Sequence, residues 1–315
     1  MGTEIMAIGI NPTVDFAFKL VFGNPDHTRI TIHFLNSILK LSSPISEVTI
    51  QNPFLGKGEE DDKLSVLDIL AVDQAGRIFN IEMQTTLPAG MKRRLIYHAA
   101  KIYSDQLSEG QSYSALHPAI VICVLTKALF PDVDALHMDF RLRDASGRNL
   151  ADDLQVHLLQ LSKLAVTAQN VTSVPLIDQW AYFISNAARL SVNDVQRLFA
   201  DHEFSEAAEV LEMISQTPEQ KMQYYARLKF QMDEAARLEQ ALLEGEAKGE
   251  ARGEAKGEAK GEARGLQKGE LLGRIRAYQE ILGIDLTSAD ELSTYDLTRL
   301  TELARELHAQ LSSRQ

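Results

Sequence analysis

The sequence predicts an α/β core with a mixed central sheet flanked by helices, followed by an all-helical C-terminal half. Two apolar alternating runs with a polar turn between them, residues 63–86, predict a β-hairpin. The continuous apolar run Ala119–Leu125 predicts a fully buried strand. The strand pattern disappears after about Ser173, and the rest of the chain has helical patterning. Helices followed by a hairpin, another helix and two strands are typical of an α/β fold.

Two helices and a strand are predicted before the hairpin. Apolar residues recur at helical spacing in TVDFAFKLVF, and Pro12 precedes them near the helix start, where its missing N–H costs no hydrogen bond. A second helical pattern runs from Ile30 to Leu41 and stops at Ser42-Ser43-Pro44. The segment ISEVTIQNPF then alternates like a strand.

After the hairpin, the core continues with an amphipathic helix over residues 89–109 and the strand Ala119–Leu125. The segment LQVHLLQL, which begins at Leu154, predicts a weaker final strand. We therefore expect the core to cover residues 1–165 and a helical region to cover residues 166–244.

A four-residue repeat follows the helical region. Five perfect units, GEAK GEAR GEAK GEAK GEAR, occupy residues 245–264, and a degraded sixth, GLQK, extends to 268. Glycine in a helix interior costs about 1 kcal/mol relative to alanine, and glutamates four residues apart repel each other, so we expect at best a fraying helix. We interpret residues 245–268 as a spacer. The alternative is a dimer seam in which the glycines of two copies pack closely.

The tail, residues 269–315, ends in a predicted helix that begins near Ser293 and Thr294. One face of this helix carries five leucines: Leu297, Leu300, Leu303, Leu307 and Leu311. A leucine stripe exposed on an isolated tail is a surface for self-association. We therefore expect a homo-oligomer formed through the C-terminal helices.

Composition and charge limit the classes of protein to consider. The net charge of −12 argues against nonspecific binding of polyanions, but residues 1–130 hold 11 basic and 13 acidic residues, so most of the acidity lies in the second half. No apolar run approaches the ~20 residues of a membrane span, and the N-terminus lacks an export signal pattern. We expect a cytoplasmic protein with no membrane partner. The single cysteine, Cys123, excludes an internal disulfide and a multi-cysteine zinc site.

The hairpin carries two acids in apolar surroundings. Asp68 lies among apolar residues of the first strand, where an unpaired charge is costly, and Glu82 and Gln84 share one face of the second strand. Antiparallel pairing brings Asp68 across from the region of Glu82. Carboxylates so placed raise each other's pKa or bind a cation, and oxygen ligands suit Mg²⁺ or Mn²⁺. The alternative is that both acids are solvated on an open sheet face, or are paired with Arg93 or Lys63.

The predicted helix after the hairpin carries basic and aromatic residues on one side. Arg94, Tyr97 and Lys101 are spaced at i, i+3 and i+7, and Arg93 lies beside them. Such a stripe suits contacts with the phosphates of DNA, and the alternative is an ordinary solvated face.

Several stretches, in order, resemble one family of proteins. They are NPTVDFAFKLVFG, LDILAVDQAGRIFNIEMQ, RRLIYHAAKIYSDQLSEGQSY, HPAIVICVL and the closing EGEAKGEARGEAKGEAKG. Together, over about residues 11–270, they resemble the recombination-promoting nuclease and putative transposase family of bacteria. That family is part of the PD-(D/E)XK nuclease superfamily, whose site has the form Asp…(Asp/Glu)-x-Lys.

The resemblance implies a restriction-endonuclease-like core that cuts DNA with a divalent metal, Mg²⁺ or Mn²⁺. It places Asp68 and Glu82 on the metal ligands, with the Met83 carbonyl as a third. Gln84 occupies the lysine position, and an amide cannot act as a base. Asp15 matches the acid on the first helix that completes the metal shell in some of these nucleases, although it is also an acid favoured by the helix dipole.

The resemblance therefore implies a metal-dependent DNA endonuclease that promotes recombination or DNA mobility. The alternative is a catalytically silent protein that keeps the nuclease fold to bind DNA or a protein partner. Retention of Asp68 and Glu82 favours the enzyme, whereas the acidic net charge and Gln84 favour the silent protein.

Overall fold

The computed structural model describes residues 6–51 and 69–313. Within these ranges the chain forms one mixed sheet of six strands in the order β1-β2-β3-β4-β6-β5. The strands are β1 (Val48–Ile50), β2 (Ile69–Asp73), β3 (Ile78–Gln84), β4 (Ala119–Leu125), β5 (His137–Arg143) and β6 (Asn149–Gln160). Strands β3, β4 and β6 are mutually parallel, and the other neighbouring pairs are antiparallel. The predicted mixed sheet is confirmed.

The predicted hairpin is confirmed as β2 and β3. Its turn is closed by the backbone N–H of Gly76, which donates to the carbonyl oxygen of Asp73 at 3.0 Å. Gly76 has a φ of 77°, and a Cβ atom there would lie 2.6 Å from the His117 ring. A side chain at position 76 is therefore excluded both by backbone conformation and by space. The tight turn fixes the register that pairs Ile69 with Ile81.

The prediction for the far edge of the sheet was incomplete. Strand β5 was not predicted, and β6 begins at Asn149 rather than at Leu154. The two strands form an antiparallel hairpin through a turn at residues 144–148. Most of β5 is exposed or half-buried, because it is an edge strand. Its charged residues hide the apolar alternation that marks strands with one buried face.

Helices flank the sheet and make up the second half of the described chain. They are α1 (Asp15–Phe22), α2 (Thr28–Leu39), α3 (Met91–Ser104), α4 (Leu176–Asn186), α5 (Val192–Leu198), α6 (His202–Gln216), α7 (Pro218–Leu282), α8 (Ala289–Thr294) and α9 (Leu297–Ser312). The predicted helical second half is confirmed. None of the described helices is both long enough and apolar enough to cross a membrane.

The sheet has an apolar cluster on each face. On one face, residues of α3 pack with Cys123 and its neighbours of β4 and β6. On the other face, residues of α1, α2, α4 and α6 form the larger cluster around the fully buried Trp180. The Trp180 ring contacts Phe22, Phe34 and Phe204, and its Nε1 donates to His33 Nδ1 at 3.1 Å. These contacts fix α1 against α2, α4 and α6 and so help to place its first residue, Asp15.

The chain divides into two compact units between Leu238 and Glu239, within α7. The start of α7 belongs to the first unit. Tyr224 is buried there, and its hydroxyl accepts a hydrogen bond from the backbone N–H of Asn11 at 2.9 Å. Helix α7 continues through the whole repeat, whose residues 245–264 are all exposed. The alanine, glutamate, lysine and arginine of each unit favour a helix, which offsets the cost of the glycines.

The second unit has its own apolar core, formed by the end of α7, α8 and α9. Leu300 and Leu307 are buried in this core, so the expected exposure of the leucine stripe is wrong. The stripe packs within the chain because α9 folds back on residues of α7 such as Ile275 and Leu282. Helix α9 also begins later than predicted, at Leu297, since the side chain of Asp296 caps it by accepting from the N–H of Arg299.

Candidate active site

Strand β3 carries two buried polar side chains on one face. Glu82 is 0% exposed and Gln84 is 7% exposed. In the register with β4, Glu82 lies opposite Cys123 and Gln84 lies opposite Leu125. Alternation along β3 puts the neighbouring Met83 on the other face, in the larger apolar cluster. A buried carboxylate among apolar residues is costly unless polar partners stabilise it.

Two of the partners of Glu82 are an amide and a guanidinium. Gln84 Nε2 donates to Glu82 Oε2 at 3.3 Å, and Arg94 Nη2 of α3 donates to the same oxygen at 3.4 Å. Both distances are longer than the usual 2.7–3.2 Å of an N–H···O bond, so each interaction is weak. The Arg94 side chain is 36% exposed, so solvent screens its ion pair with Glu82. Glu82 therefore has a positive neighbour, although Arg94 rather than Arg93 supplies it.

Asp15 is the first residue of α1 and the second acid of the site. Its Oδ1 atom is buried and accepts no hydrogen bond within the described part of the chain. Asp15 lines a cavity of about 110 Å³ together with Met83, Gln84 and Thr85 at the end of β3. A helix acid at this position gains from the helix dipole, but the dipole does not explain a buried oxygen without a donor. The orphaned oxygen points to a cation or a water as its missing partner.

The predicted metal ligands can be compared with this geometry only in part, because Asp68 lies outside the described residues. Among residues 6–51 and 69–313, no three His, Cys, Asp or Glu side chains are grouped so as to hold a metal ion. The oxygen atoms of the described residues are nevertheless of the kind that suits a metal ion. Asp15 supplies a buried carboxylate oxygen with no donor, and carboxylate oxygens are preferred ligands of Mg²⁺ and Mn²⁺. Met83, whose carbonyl was predicted as a further ligand, lines the same cavity.

The predicted DNA-binding residues of α3 are divided between two places. Arg93, Tyr97 and Lys101 are exposed, with Tyr97 63% exposed. The Lys101 ammonium donates to Asp105 Oδ2 at 2.9 Å, and this hydrogen bond raises the pKa of Lys101. Arg94 lies instead beside Glu82. The helix therefore offers an exposed basic and aromatic face and one arginine within the site.

Three residues near the site were not predicted. Lys19 is buried in α1, one turn after Asp15, and a lysine inside the apolar segment FAFKLVF is a signal that could have revealed it. Arg227 and Gln231 of α7 line the cavity. Gln231 Nε2 donates to the Thr13 carbonyl at 3.1 Å and to Thr85 Oγ1 at 3.4 Å. No local pattern could reveal contacts between residues that lie more than 140 positions apart in the chain.

Comparison with known proteins identifies the family of the chain. The family model for PD-(D/E)XK nuclease family transposases matches residues 12–241, which is more than two thirds of the chain. The match includes Asp15, Glu82, Gln84 and Arg227, and it ends before the repeat. No curated protein and no solved structure matches the chain significantly. The mixed sheet, the polar end of β3 and the family match agree, and the chain belongs to the PD-(D/E)XK nuclease family transposases.

Proposed function

We propose that this chain is a divalent-metal-dependent DNA endonuclease that hydrolyses phosphodiester bonds and promotes DNA recombination or mobility. Its family gives it a nuclease-like function. One observation carries the finer proposal: Gln84 contacts Glu82 and also lines the same cavity as Asp15, whose buried Oδ1 has no hydrogen-bond donor among the described residues. Gln84 thereby lies between Glu82 of β3 and the cavity that Asp15 of α1 lines.

Asp15, Glu82 and the Met83 carbonyl are the described groups that would hold Mg²⁺, with Mn²⁺ as the alternative, and Asp68 is the proposed ligand outside the described residues. When bound, such an ion polarises the phosphoryl oxygen and lowers the pKa of water, so that water becomes a nucleophile at neutral pH.

The chain's own residues then bind and orient the reactants. The Gln84 amide is neither an acid nor a base at neutral pH. It therefore orients the attacking water or the phosphate by hydrogen bonds. Its Nε2 already donates to Glu82 in a long hydrogen bond, which favours one direction of the amide. The exposed face of α3, with Arg93, Tyr97 and Lys101, would bind the DNA backbone next to the site. In this proposal, contacts to phosphate determine affinity without reading sequence.

A second candidate function is a catalytically silent protein that binds DNA or a protein partner. The observation in its favour is that Glu82 Oε2 is shared by Gln84 and Arg94, which is also how an acid is stabilised in a site without a metal. The buried oxygen of Asp15 favours the enzyme, because a silent fold has no need to leave it without a donor.

Plasmid DNA distinguishes the two functions. The purified chain is incubated with supercoiled plasmid in Mg²⁺, in Mn²⁺ and in EDTA, and the products are separated on a gel. The endonuclease proposal expects nicked and linear DNA with either metal and none in EDTA. A chain that retards the plasmid in gel-shift experiments but leaves it supercoiled with both metals would be the silent binding protein.

A further inference from the structure

The start of α7 forms one wall of the candidate active site. Arg227, Gln231 and Glu234 of this helix line the cavity of about 110 Å³ that Asp15 and Gln84 line from the other side. Residues 227, 231 and 234 follow the i, i+4, i+7 spacing, so they share one helix face. The region that the sequence presents as a helical appendage after the core therefore reaches the site itself.

This wall is anchored to the core at two positions. Tyr224 is 3% exposed and accepts the hydrogen bond from Asn11. Two turns later, Gln231 donates to Thr13, just before α1, and to Thr85, just after β3. Gln231 therefore joins the two segments that carry Asp15 and Gln84. These contacts hold the helix face against the cavity.

The cavity needs a positively charged side chain to bind a phosphate, and α7 can supply one. Gln84 is neutral where the superfamily pattern has lysine. The Arg227 guanidinium has no carboxylate within 4.0 Å among the residues that the structure describes, and its residue is exposed. The other charged residue that α7 contributes is Glu234, whose Oε2 is 3.1 Å from Arg237 Nη2. That ion pair offsets part of the negative charge, and the charge of Arg227 stays available to an incoming anion.

We propose that Arg227 binds a phosphate of the DNA strand at this site, and that Gln231 is a positioning residue that holds α7 in place. The proposal rests on the proposed nuclease function and adds a residue to it. A planar guanidinium donates two parallel hydrogen bonds to a phosphate, and a neutral glutamine at position 84 cannot replace its charge. Helix α7 would thus supply the positive charge that β3 lacks.

The test compares Arg227→Gln with Lys229→Gln. Lys229 is exposed on the same helix, does not line the cavity and lies about 200° around the helix from Arg227. It therefore controls for the general loss of one positive charge. DNA binding is measured by fluorescence anisotropy in Ca²⁺ at several salt concentrations, cleavage is measured in Mg²⁺, and thermal unfolding checks that each variant is folded.

For Arg227→Gln we expect the slope of log K against log salt to fall by about one and the cleavage rate to fall roughly tenfold or more. Lys229→Gln should match the wild type in cleavage. Gln231→Leu should lower cleavage less in the Arg227→Gln background than in the wild type, because part of its effect acts through Arg227. A folded Arg227→Gln variant with wild-type slope and rate would overturn the proposal.

The two readouts separate this proposal from the nuclease function. If the wild type binds DNA but cuts none with any metal, the endonuclease proposal fails, and the salt slope still decides whether Arg227 contacts phosphate. If the wild type neither binds nor cuts DNA, both proposals are overturned. If it cuts DNA and the slope of Arg227→Gln is unchanged, only the role of Arg227 is overturned.

Discussion

Glu82 shows how a single buried charge can be tolerated in an apolar sheet. Its carboxylate is fully buried and lies opposite Cys123, and two of its partners are the amide of Gln84 and the partly exposed Arg94. These two contacts, which are long and in the case of Arg94 screened by solvent, offset part of the cost of burying the charge.

The first prediction therefore concerns Glu82→Gln. This change keeps the size of the side chain and removes its charge, so we expect the chain to stay folded, with unfolding free energy within about 2 kcal/mol of the wild type. Metal-dependent nicking should fall by at least about 100-fold, because a ligand is lost. Plasmid nicking and thermal unfolding measure the two effects. The exposed Glu47→Gln is the matched control, and equal nicking by both variants would contradict the role of Glu82.

The second prediction is that Gln84→Lys keeps the fold and gives equal or higher cleavage. The new ammonium restores the commoner superfamily pattern and lies two residues from Glu82, on the same face of β3. Opposite charges at that distance stabilise each other. Initial rates of plasmid nicking at several pH values measure the effect. A variant that folds but cuts nothing would show that the amide has a role that an ammonium cannot fill.

At the residue scale, strand alternation alone predicted that Glu82 and Gln84 share a face, because the period of a strand fixes which side chains are neighbours. It could not predict that Arg94 rather than Arg93 faces Glu82. That choice depends on how α3 is rotated on the sheet, which Leu95 and Ala99 settle by packing against β4. The missing donor at Asp15 is likewise a property of the packed structure and has no sequence signal.

At the scale of elements, the β5–β6 hairpin contains a pair of histidines, of which His157 is buried and His137 is half-buried. His137 Nε2 and His157 Nδ1 are 3.0 Å apart, and the two rings are stacked with centroids 5.3 Å apart. Burial is the main cause that lowers the pKa of both histidines. The pKa of His157 falls to about 4, although the nearby Asp139 acts to raise it. Arg141 and the partner histidine add to the lowering for His157, and Lys40 adds to it for His137. Both rings are therefore neutral in the folded chain at pH 7.

The third prediction follows from this pair. The unfolded state binds a proton on His157 near the ordinary pKa of about 6.5, whereas the folded state does so near 4, so stability rises with pH between these values. The contribution of neutral His157 to the free energy of unfolding is complete above about pH 6.5. It falls as the pH drops, by at most about 1.4 kcal/mol per pH unit for one histidine.

Urea unfolding at pH 7.5, 6 and 5 measures this dependence. The matched variant, His157→Gln, cannot be protonated in this range and should lose stability less steeply on acidification. Identical pH slopes for the wild type and the variant would show that His157 titrates alike in both states.

The β5–β6 hairpin also shows which elements the sequence alone could not predict. The β2–β3 hairpin and the strand Ala119–Leu125 were predicted because apolar alternation or an unbroken apolar run records burial. Strand β5 was missed because an edge strand has no second neighbour and tolerates charge on both faces. The inner face of α7 was missed because contacts from Gln231 to Thr13 and Thr85 join distant parts of the chain.

At the scale of the whole molecule, the family match and the candidate site end at nearly the same point. The match stops at residue 241, and Glu234 is the last residue that lines the cavity. The first compact unit ends at Leu238. Everything that the nuclease proposal uses therefore lies in the first unit, and the buried leucines of α9 stabilise the second unit by itself.

The last prediction concerns the repeat that follows, which we interpret as a spacer. Its residues are exposed, and a Cβ atom added to any of its glycines would meet nothing within 4 Å. The period of four residues drifts about 40° per unit around an α-helix, so no fixed stripe of the repeat faces one direction. Removing two units, residues 253–260, shortens the helix by about 12 Å. We expect unchanged plasmid nicking and an unchanged molar mass by light scattering.

A second variant separates the spacer from a dimer seam. Gly253→Ala with Gly257→Ala keeps the length of the chain and adds two methyl groups where closely packed helices would have no room. For a spacer it should only stabilise the helix, by about 1 kcal/mol per glycine, and leave the molar mass unchanged. In a seam built on glycine, the same methyl groups would force the two copies apart. A fall in molar mass for either variant, with the rest of the chain intact, would refute the spacer and establish the repeat as the contact between copies.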